Sequence, residues 1–221
     1  IYWQLYDYYG VPCAAYYGTK KACEPLQLIY NYKDSHVYLV NEGLYEGDVE
    51  VVVKVYDDAS ALLSEQSKTV KTSYRNNVDA FDMTAYAGKP HFIALEVKCK
   101  DGKVIADNFY CIAAERNVYD WDNFDWYITP IKKHSDLRFA FAQPEPEIAM
   151  ETSYADGVYT VTLKNDSDVV SYMNILKAKD ADGNMIVPAY WSDNFFPLLP
   201  GQTKTVTCKA DAAGANIELD K

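Results

Sequence analysis

Few residues in this chain stand at spacings that suggest chemistry. The most suggestive are in the run Asn117-Val118-Tyr119-Asp120-Trp121-Asp122-Asn123-Phe124-Asp125-Trp126-Tyr127. Trp121 and Trp126 offer flat faces on which sugar rings could stack, and Asp122 and Asp125 could accept hydroxyl hydrogen bonds. The same indoles could instead fill a groove between two domains, where large aromatics contribute most, and that packing role is the expected one. Trp191-Ser192-Asp193-Asn194-Phe195-Phe196 poses the same choice. It is expected to be a crossover that seals the bottom of a domain and not a ligand loop.

Other reactive patterns are weak. Asp180-Ala181-Asp182-Gly183-Asn184 looks faintly like a calcium loop, but an EF-hand places glycine sixth and a bidentate glutamate twelfth. Here glycine is fourth and Trp191 twelfth, so a hairpin turn is expected. His36, His91 and His134 lack metal-binding spacing, and no metal or cofactor site is expected. No serine has nucleophile-elbow glycines, and no glycine-rich phosphate loop is present. Glu24, Glu42, Glu96 and Glu115 lie in contexts that would not raise a carboxyl pKa for acid work. The 5 cysteines (Cys13, Cys23, Cys99, Cys111 and Cys208) are scattered without CxxC pairs. A two-residue turn at Asp101-Gly102 would set Cys99 opposite Val104 and not Cys111, so packed free thiols are expected.

Composition narrows the classes further. With 221 residues, 49% hydrophobic content and 20 tyrosines, the chain can bury one large or two ordinary cores. Its net charge of −11 argues against a phosphate-binding surface. No apolar run reaches the ~18 residues that suggest a membrane-spanning helix. Neutral or cationic partners suit such a surface, carbohydrates among them.

The elements that would position these residues are mostly strands. Ile1 to Tyr9 reads as an aromatic strand without earlier partners, and is expected to be an orphaned sheet edge of a larger protein. Ala14 to Glu24 reads as a short helix that Pro25 ends. Period-two alternation begins after Leu26, with Val49, Val51, Val53 and Val55 on one face, and strands are expected at 68–74, 91–100 and 103–113. Residues 116–143 break the pattern and form an aromatic connection. Alternation returns at Val158 to Lys164, Ser171 to Lys179 and a closing strand from Thr203 to Lys209. The two halves echo each other: Tyr38 to Gly43 is laid out like Thr162 to Ser167, and each following strand runs into an acidic turn, at Asp57 and at Asp180. Two sandwiches of one build are the simplest account.

Three segments resemble the β-mannosidase and exo-β-glucosaminidase branches of glycoside hydrolase family 2. Trp3-Gln4-Leu5 with Asp7, then Tyr16-Tyr17-Gly18 and Lys20-Lys21-Ala22, is similar to the end of the family's catalytic barrel, with Tyr6 in place of the usual Asn. Trp126-Tyr127-Ile128-Thr129-Pro130 and Ser135-Asp136-Leu137 resemble the segment between its last two sandwiches. Trp191 to Gly201, with Trp-Ser-Asp-Asn-Phe-Phe and Leu-Leu-Pro-Gly, resembles the signature of its last immunoglobulin-like domain.

The resemblance implies a mainly β chain: a strand-helix remnant of a (β/α)8 barrel (1–25), a first β-sandwich (26–115), a connection (116–143) and an immunoglobulin-like β-sandwich (144–221). It implies a retaining exo-β-glycosidase whose two catalytic carboxylates lie outside this chain, so these residues would support the barrel without catalysing. Residues 1–25, without barrel neighbours, are expected to be poorly ordered or packed opportunistically on a sandwich or on a second copy. Trp3 and Asp7 would be substrate-binding, for a terminal mannose or glucosamine. The implied partners are the carbohydrate substrate and the missing barrel, with no nucleic acid or membrane, and the implied compartment is periplasmic or secreted. Two other readings remain open: a carbohydrate-binding module built on Trp121 and Trp126, and a surface adhesion array.

Overall fold

The computed structural model describes residues 4–210 and 213–220. The chain divides into two compact units, one formed by Pro25–Ala142 and the other by Ile1–Glu24 with Gln143–Lys221.

The first unit is a sandwich of two antiparallel sheets. One holds β1 (Leu26–Asn31), β2 (His36–Asn41) and β5 (Asn76–Asp82) in the order β1-β2-β5. The other holds β3 (Gly47–Asp57), β4 (Leu62–Thr72), β6 (His91–Lys98) and β7 (Val104–Ile112) in the order β4-β3-β6-β7. Leu28, Val37, Leu39, Val51, Val53, Ile93 and Leu95 fill the space between the sheets. Alternation identifies this face, because successive side chains on a strand point to opposite sides. β6 departs from simple alternation: His91 to Leu95 are all buried. Phe92, on the outer face, is covered by Phe139 at 5.1 Å and Phe109 at 5.7 Å between ring centroids. Phe139 belongs to a short helix, α2 (Arg138–Phe141), so the segment after β7 packs on this sheet. That segment also carries a small hairpin of β8 (Val118–Tyr119) and β9 (Ile131–Lys133).

The second unit repeats the build. β10 (Ile148–Ala155), β11 (Val158–Asn165), β13 (Ala189–Trp191) and β15 (Thr203–Ala210) form a sheet in the order β10-β11-β15-β13. β12 (Ser171–Lys179), β14 (Phe196–Leu198) and β16 (Asn216–Asp220) face it in the order β14-β12-β16. Val161, Leu163, Leu176, Leu198, Val206 and Cys208 form the core, together with Tyr17 from α1 (Ala14–Ala22).

The internal echo has a physical basis in two asparagines with no exposed surface. Asn41 ends β2, and its amide nitrogen donates to the carbonyls of Tyr45 (2.7 Å) and Ser73 (2.9 Å), while its oxygen accepts from Gly43 N–H. Asn165 ends β11, and its amide nitrogen donates to the carbonyls of Val169 (2.8 Å) and Leu198 (3.0 Å), while its oxygen accepts from Ser167 N–H. Each side chain ties the end of one sheet to the opposite sheet and to the loop that follows.

The acidic turns echo as well. Asp57 Oδ1 accepts from the amides of Ala59 and Ala61, and Asp180 Oδ1 from those of Asp182 and Asn184. The fourth residue of each turn has positive φ, Ser60 at 69° and Gly183 at 84°, the pattern of a type I turn followed by a left-handed residue. The Asp180 loop is thus a turn whose carboxylate is engaged by its own backbone.

Several expectations need correction. The described part of the opening segment is not a strand: it makes one isolated bridge, between Tyr6 and Pro12. A short turn closed on itself at Asp7 replaces it. Residues 4–24 are nevertheless ordered by packing on the second sandwich. The turn between β6 and β7 has three residues and not two: Cys99 N–H donates to Lys103 O, and Gly102 takes φ 82°. Cys99 therefore lies across from Lys103, while Cys111 pairs with Phe92. Strands β5, β10 and β16 had no clear periodic signal; β10 is largely exposed on both faces, which blurs alternation. β16 follows β15, so β15 does not close the chain.

On the first sandwich, His36 at the start of β2 lies against β5. Its Nδ1 is 2.9 Å from Asp79 Oδ2, and its Nε2 is 3.7 Å from Asp82 Oδ1. The hydrogen bond to Asp79 raises the imidazole pKa above its ordinary 6.5, with Asp82 and Asp34 adding to the effect.

Two outcomes follow from this architecture. Asn165→Ala would leave the Val169 and Leu198 carbonyls unpaired inside the second unit, and should destabilise it by about 2–4 kcal/mol. Urea unfolding should show this, with Lys209→Ala as an exposed control near neutrality. Asn165→Asp should do no better, because a carboxylate cannot donate. In an NMR pH titration His36 should titrate above 6.5, and Asp79→Asn should bring it down. Its contribution to stability is fully present below the unfolded-state pKa and disappears as pH rises through the folded one.

Candidate functional site

The Trp191 to Gly201 loop can be accounted for almost residue by residue. Trp191 ends β13 and is buried in the core of the second sandwich. Ser192 Oγ accepts from Thr207 N–H. Asp193 pairs with Lys204 at 2.8 Å, and the Lys204 ammonium also lies 5.0 Å from the Phe196 ring centre. Asn194 Oδ1 accepts from Leu176 N–H at 2.8 Å and its Nδ2 donates to Leu176 O at 2.9 Å, a reciprocal pair that holds the loop on β12. Phe195 adopts φ 57°, and Phe196 enters the core. The expected sealing role is what these contacts describe.

The same loop receives α1. Tyr17 is buried against it, its ring centre 5.8 Å from that of Phe195, and Tyr16 meets Tyr17 edge-on at 5.0 Å. Burial pushes the Tyr17 phenol pKa well up, opposed in part by a hydrogen bond with Asn194. Lys20, one turn further along, donates to Ser192 O at 2.5 Å and to Trp191 O at 3.4 Å. A small apolar cavity of about 150 Å³ lies beside this contact, lined in part by Pro12, Tyr17, Trp191 and Phe195.

Two residues, Trp3 and Asp7, are expected to touch substrate. Trp3 lies outside the described residues. Asp7 is described, and its Oδ1 accepts from the amides of Tyr9 and Val11 at 2.9 Å each. Asp7 N–H donates to Val11 O, Gly10 N–H donates to Asp7 O, and Gly10 takes φ 81°. This is the turn found at Asp57 and Asp180, and the spacing Asp7-x-x-Gly10 matches Asp180-x-x-Gly183 in the sequence. The signal for a turn-closing role at Asp7 was therefore present in the sequence, beside the substrate-binding role expected of it.

The acidic aromatic run lies on the first unit. Trp121 is 69% exposed and Trp126 is 78% exposed, so neither belongs to the core of the first unit. Tyr119, Trp121 and Phe124 follow one another across the surface, with ring centres 5.6 Å and 6.5 Å apart and planes tilted by 42° and 40°. Trp126 is met edge-on by Tyr127 at 4.3 Å. The loop beneath is held firmly. Asp120 N–H donates to Pro130 O, Asn123 Nδ2 donates to Asp120 Oδ2 at 2.7 Å, and Lys132 lies 2.9 Å from Asp120 Oδ1. These partners, Asn123 first and Lys132 second, hold the Asp120 carboxyl below its ordinary pKa. Asp122 projects into solvent, 3.5 Å from Lys132.

Tyr119 also borders a cleft of about 430 Å³ lined by Tyr30, Tyr32, Ser35, Arg116 and Asn117, within the size range of small-ligand pockets. The cleft is walled by Tyr30 of β1, by Tyr32 just beyond that strand and by the segment after β7. It contains no pair of carboxylates suited to glycoside chemistry: Glu115, its one acidic residue, pairs with Lys133.

Among the described residues no group of three or more His, Cys, Asp and Glu is placed to hold a metal ion. No described helix is long and apolar enough to cross a membrane. The 5 cysteines are free thiols, and burial pushes Cys111 up to about 12 and Cys208 up to about 11, which keeps them protonated. His91 is buried, its Nδ1 2.8 Å from Lys89 O, and desolvation lowers its pKa.

With this geometry in place, the comparisons with known proteins are direct. Residues 126–220 match the family described as the exo-β-D-glucosaminidase Ig-fold domain. An exo-β-D-glucosaminidase of Hypocrea jecorina is 27% identical over 232 residues, covering 99% of this chain and 26% of that protein. The crystal structure of the Amycolatopsis orientalis exo-chitosanase CsxA superposes with a TM-score of 0.87 at 27% identity, over 98% of this chain and 27% of that one. A β-D-mannosidase of Dictyoglomus thermophilum shares the fold, with a TM-score of 0.67 at 16% identity over 98% of this chain and 24% of that one. The chain thus spans about a quarter of the length of the relatives it matches. The second sandwich and the segment before it are thus similar to the immunoglobulin-fold domain of exo-β-D-glucosaminidases, which belong to glycoside hydrolase family 2.

Proposed function

We propose that this chain is the non-catalytic immunoglobulin-like region of a hydrolase that removes terminal β-linked glucosamine, and that it steadies the catalytic barrel of that enzyme. The observation that carries the reading is the docking of α1. Its Tyr17 is part of the core of the second sandwich, and Lys20 is bonded to the signature loop. If residues 1–24 are the end of the barrel, this contact joins the barrel to the terminal sandwich through a buried aromatic and a charge-assisted hydrogen bond. The matches to exo-β-D-glucosaminidases run through these residues and not only through the sandwiches, which supports treating them as one functional region. Glucosamine is favoured over mannose because the glucosaminidases are related to this chain in sequence, whereas the mannosidase shares only the fold.

Retaining glycosidases need an acid/base and a nucleophile about 5–5.5 Å apart on either side of the scissile bond. The carboxylates described above serve other ends: Asp7, Asp57 and Asp180 close turns, and Asp193 pairs with Lys204. In this reading both reactive groups are supplied by the rest of the enzyme.

Incubated with p-nitrophenyl β-D-glucosaminide, the purified chain should release no nitrophenol above the blank; sustained turnover would overthrow the reading. Tyr17→Ala should destabilise the second unit by about 3–5 kcal/mol, as for loss of a buried aromatic. In the enclosing enzyme the same change should lower the thermal midpoint by several degrees while sparing kcat at permissive temperature. An unchanged midpoint would remove the clamp from the proposal.

A further inference from the structure

We infer that the exposed strip Tyr119–Trp121–Phe124, with Trp126 beside it, is a binding platform for glucosamine-containing oligosaccharides. The choice of ligand rests on the proposed substrate class, while the place rests on geometry alone.

Three features combine here. The first is exposed aromatic area. Tyr119, Trp121, Phe124 and Trp126 are 42%, 69%, 53% and 78% exposed, an arrangement that leaves several large apolar faces in water. Isolated exposed apolar residues are ordinary, but contiguous exposed apolar surface marks a contact site. The second is shape. The rings of Tyr119, Trp121 and Phe124 form a row whose planes turn by about 40° from one to the next. Such a row presents a curved series of flat faces to the C–H faces of successive β-linked pyranose rings. The backbone beneath is fixed by the Asp120–Pro130 and Asp125–Ile128 hydrogen bonds, so the rings need little ordering on binding.

The third feature is charge, and it selects the occupant. Three carboxylates, Asp120, Asp122 and Asp125, lie along this run, and Lys132 pairs with the first two. Asp120 is largely enclosed by its partners and Asp125 Oδ1 accepts from Trp126 N–H, while the side chain of Asp122, the residue after Trp121, is 90% exposed. An amino sugar carries an ammonium at neutral pH. Over the Trp121 face it gains cation–π attraction, and Asp122 can accept its N–H donors. A neutral hexose would gain the stacking alone, and an acidic sugar would be repelled. The cleft bordered by Tyr119 extends this surface and leaves room for a further sugar ring.

The test is calorimetric titration of the whole 221-residue chain with tetraglucosamine, alongside cellotetraose and the fully N-acetylated tetramer. The indole N–H signals of Trp121 and Trp126 are followed by NMR in parallel. Tetraglucosamine should bind with a Kd below about 1 mM and move both indole signals, with the two neutral tetramers several-fold weaker. Trp121→Ala should weaken binding about tenfold, as expected for loss of an aromatic contact worth up to ~1.5 kcal/mol. Asp122→Asn, a near-isosteric change at an exposed site, should erase most of the preference for the amino sugar. Both variants should keep the parent urea midpoint, since neither side chain supports the core. Absence of heat and of indole shifts at about 10 mM sugar sinks the inference, as does full-strength binding by Trp121→Ala. Equal affinity for cellotetraose sinks it too, because the charge argument would then have no consequence. None of these failures touches hydrolysis by the enclosing enzyme, which is read by release of glucosamine and not by binding to this chain.

Discussion

The two sandwiches depend on one constraint: a polar side chain sealed in each must find all of its partners across the gap between sheets. Asn41 and Asn165 meet it in the same way, with the amide nitrogen spent on two carbonyls and the oxygen on a backbone N–H two residues ahead. A buried amide left unpaired is costly, so these positions tolerate only the geometry in which both sheets and the intervening loop are correctly placed. The apolar cores around them supply the driving force but little register. The asparagines fix where the second strand of each sandwich stops and which opposite strand it meets.

A comparable economy governs the turns. Asp7, Asp57 and Asp180 each hold two backbone amides with one carboxylate oxygen, and each turn places a residue of positive φ fourth. Glycine takes that position at no steric cost in two of them, while Ser60 takes it with some strain. A carboxylate used this way is a framework element.

The second unit binds its helix by the same logic as its own strands. The signature loop presents backbone carbonyls at Trp191 and Ser192 to a lysine and an aromatic pocket to Tyr17, so α1 is held by one buried ring and one charged donor. Among the described residues of the first unit, nothing comparable covers the aromatic strip. One surface is therefore spent on assembly within the chain, and the other leaves tryptophans in water with carboxylates beside them.

Sequence alone determined the β character, the two repeats and most strands of the cores, because a half-buried strand must alternate and a tight turn must use Gly, Asp or Asn. The Trp-Ser-Asp-Asn-Phe-Phe loop was legible as a seal, since its apolar residues recur between polar ones that can bond locally. Strands β5, β10 and β16 escaped notice because they are short or exposed, and exposure removes the demand for alternation. The turn at Asp7 went unread for a different reason: its Asp-x-x-Gly spacing was present, but resemblance to a barrel end drew attention to chemistry and away from turn geometry. What only the tertiary structure decided was whether an aromatic is core or surface. Tyr17 and Trp121 sit in equally aromatic stretches, yet one is buried and the other exposed. That outcome depends on which distant strands come to lie against each ring, and no local pattern contains it.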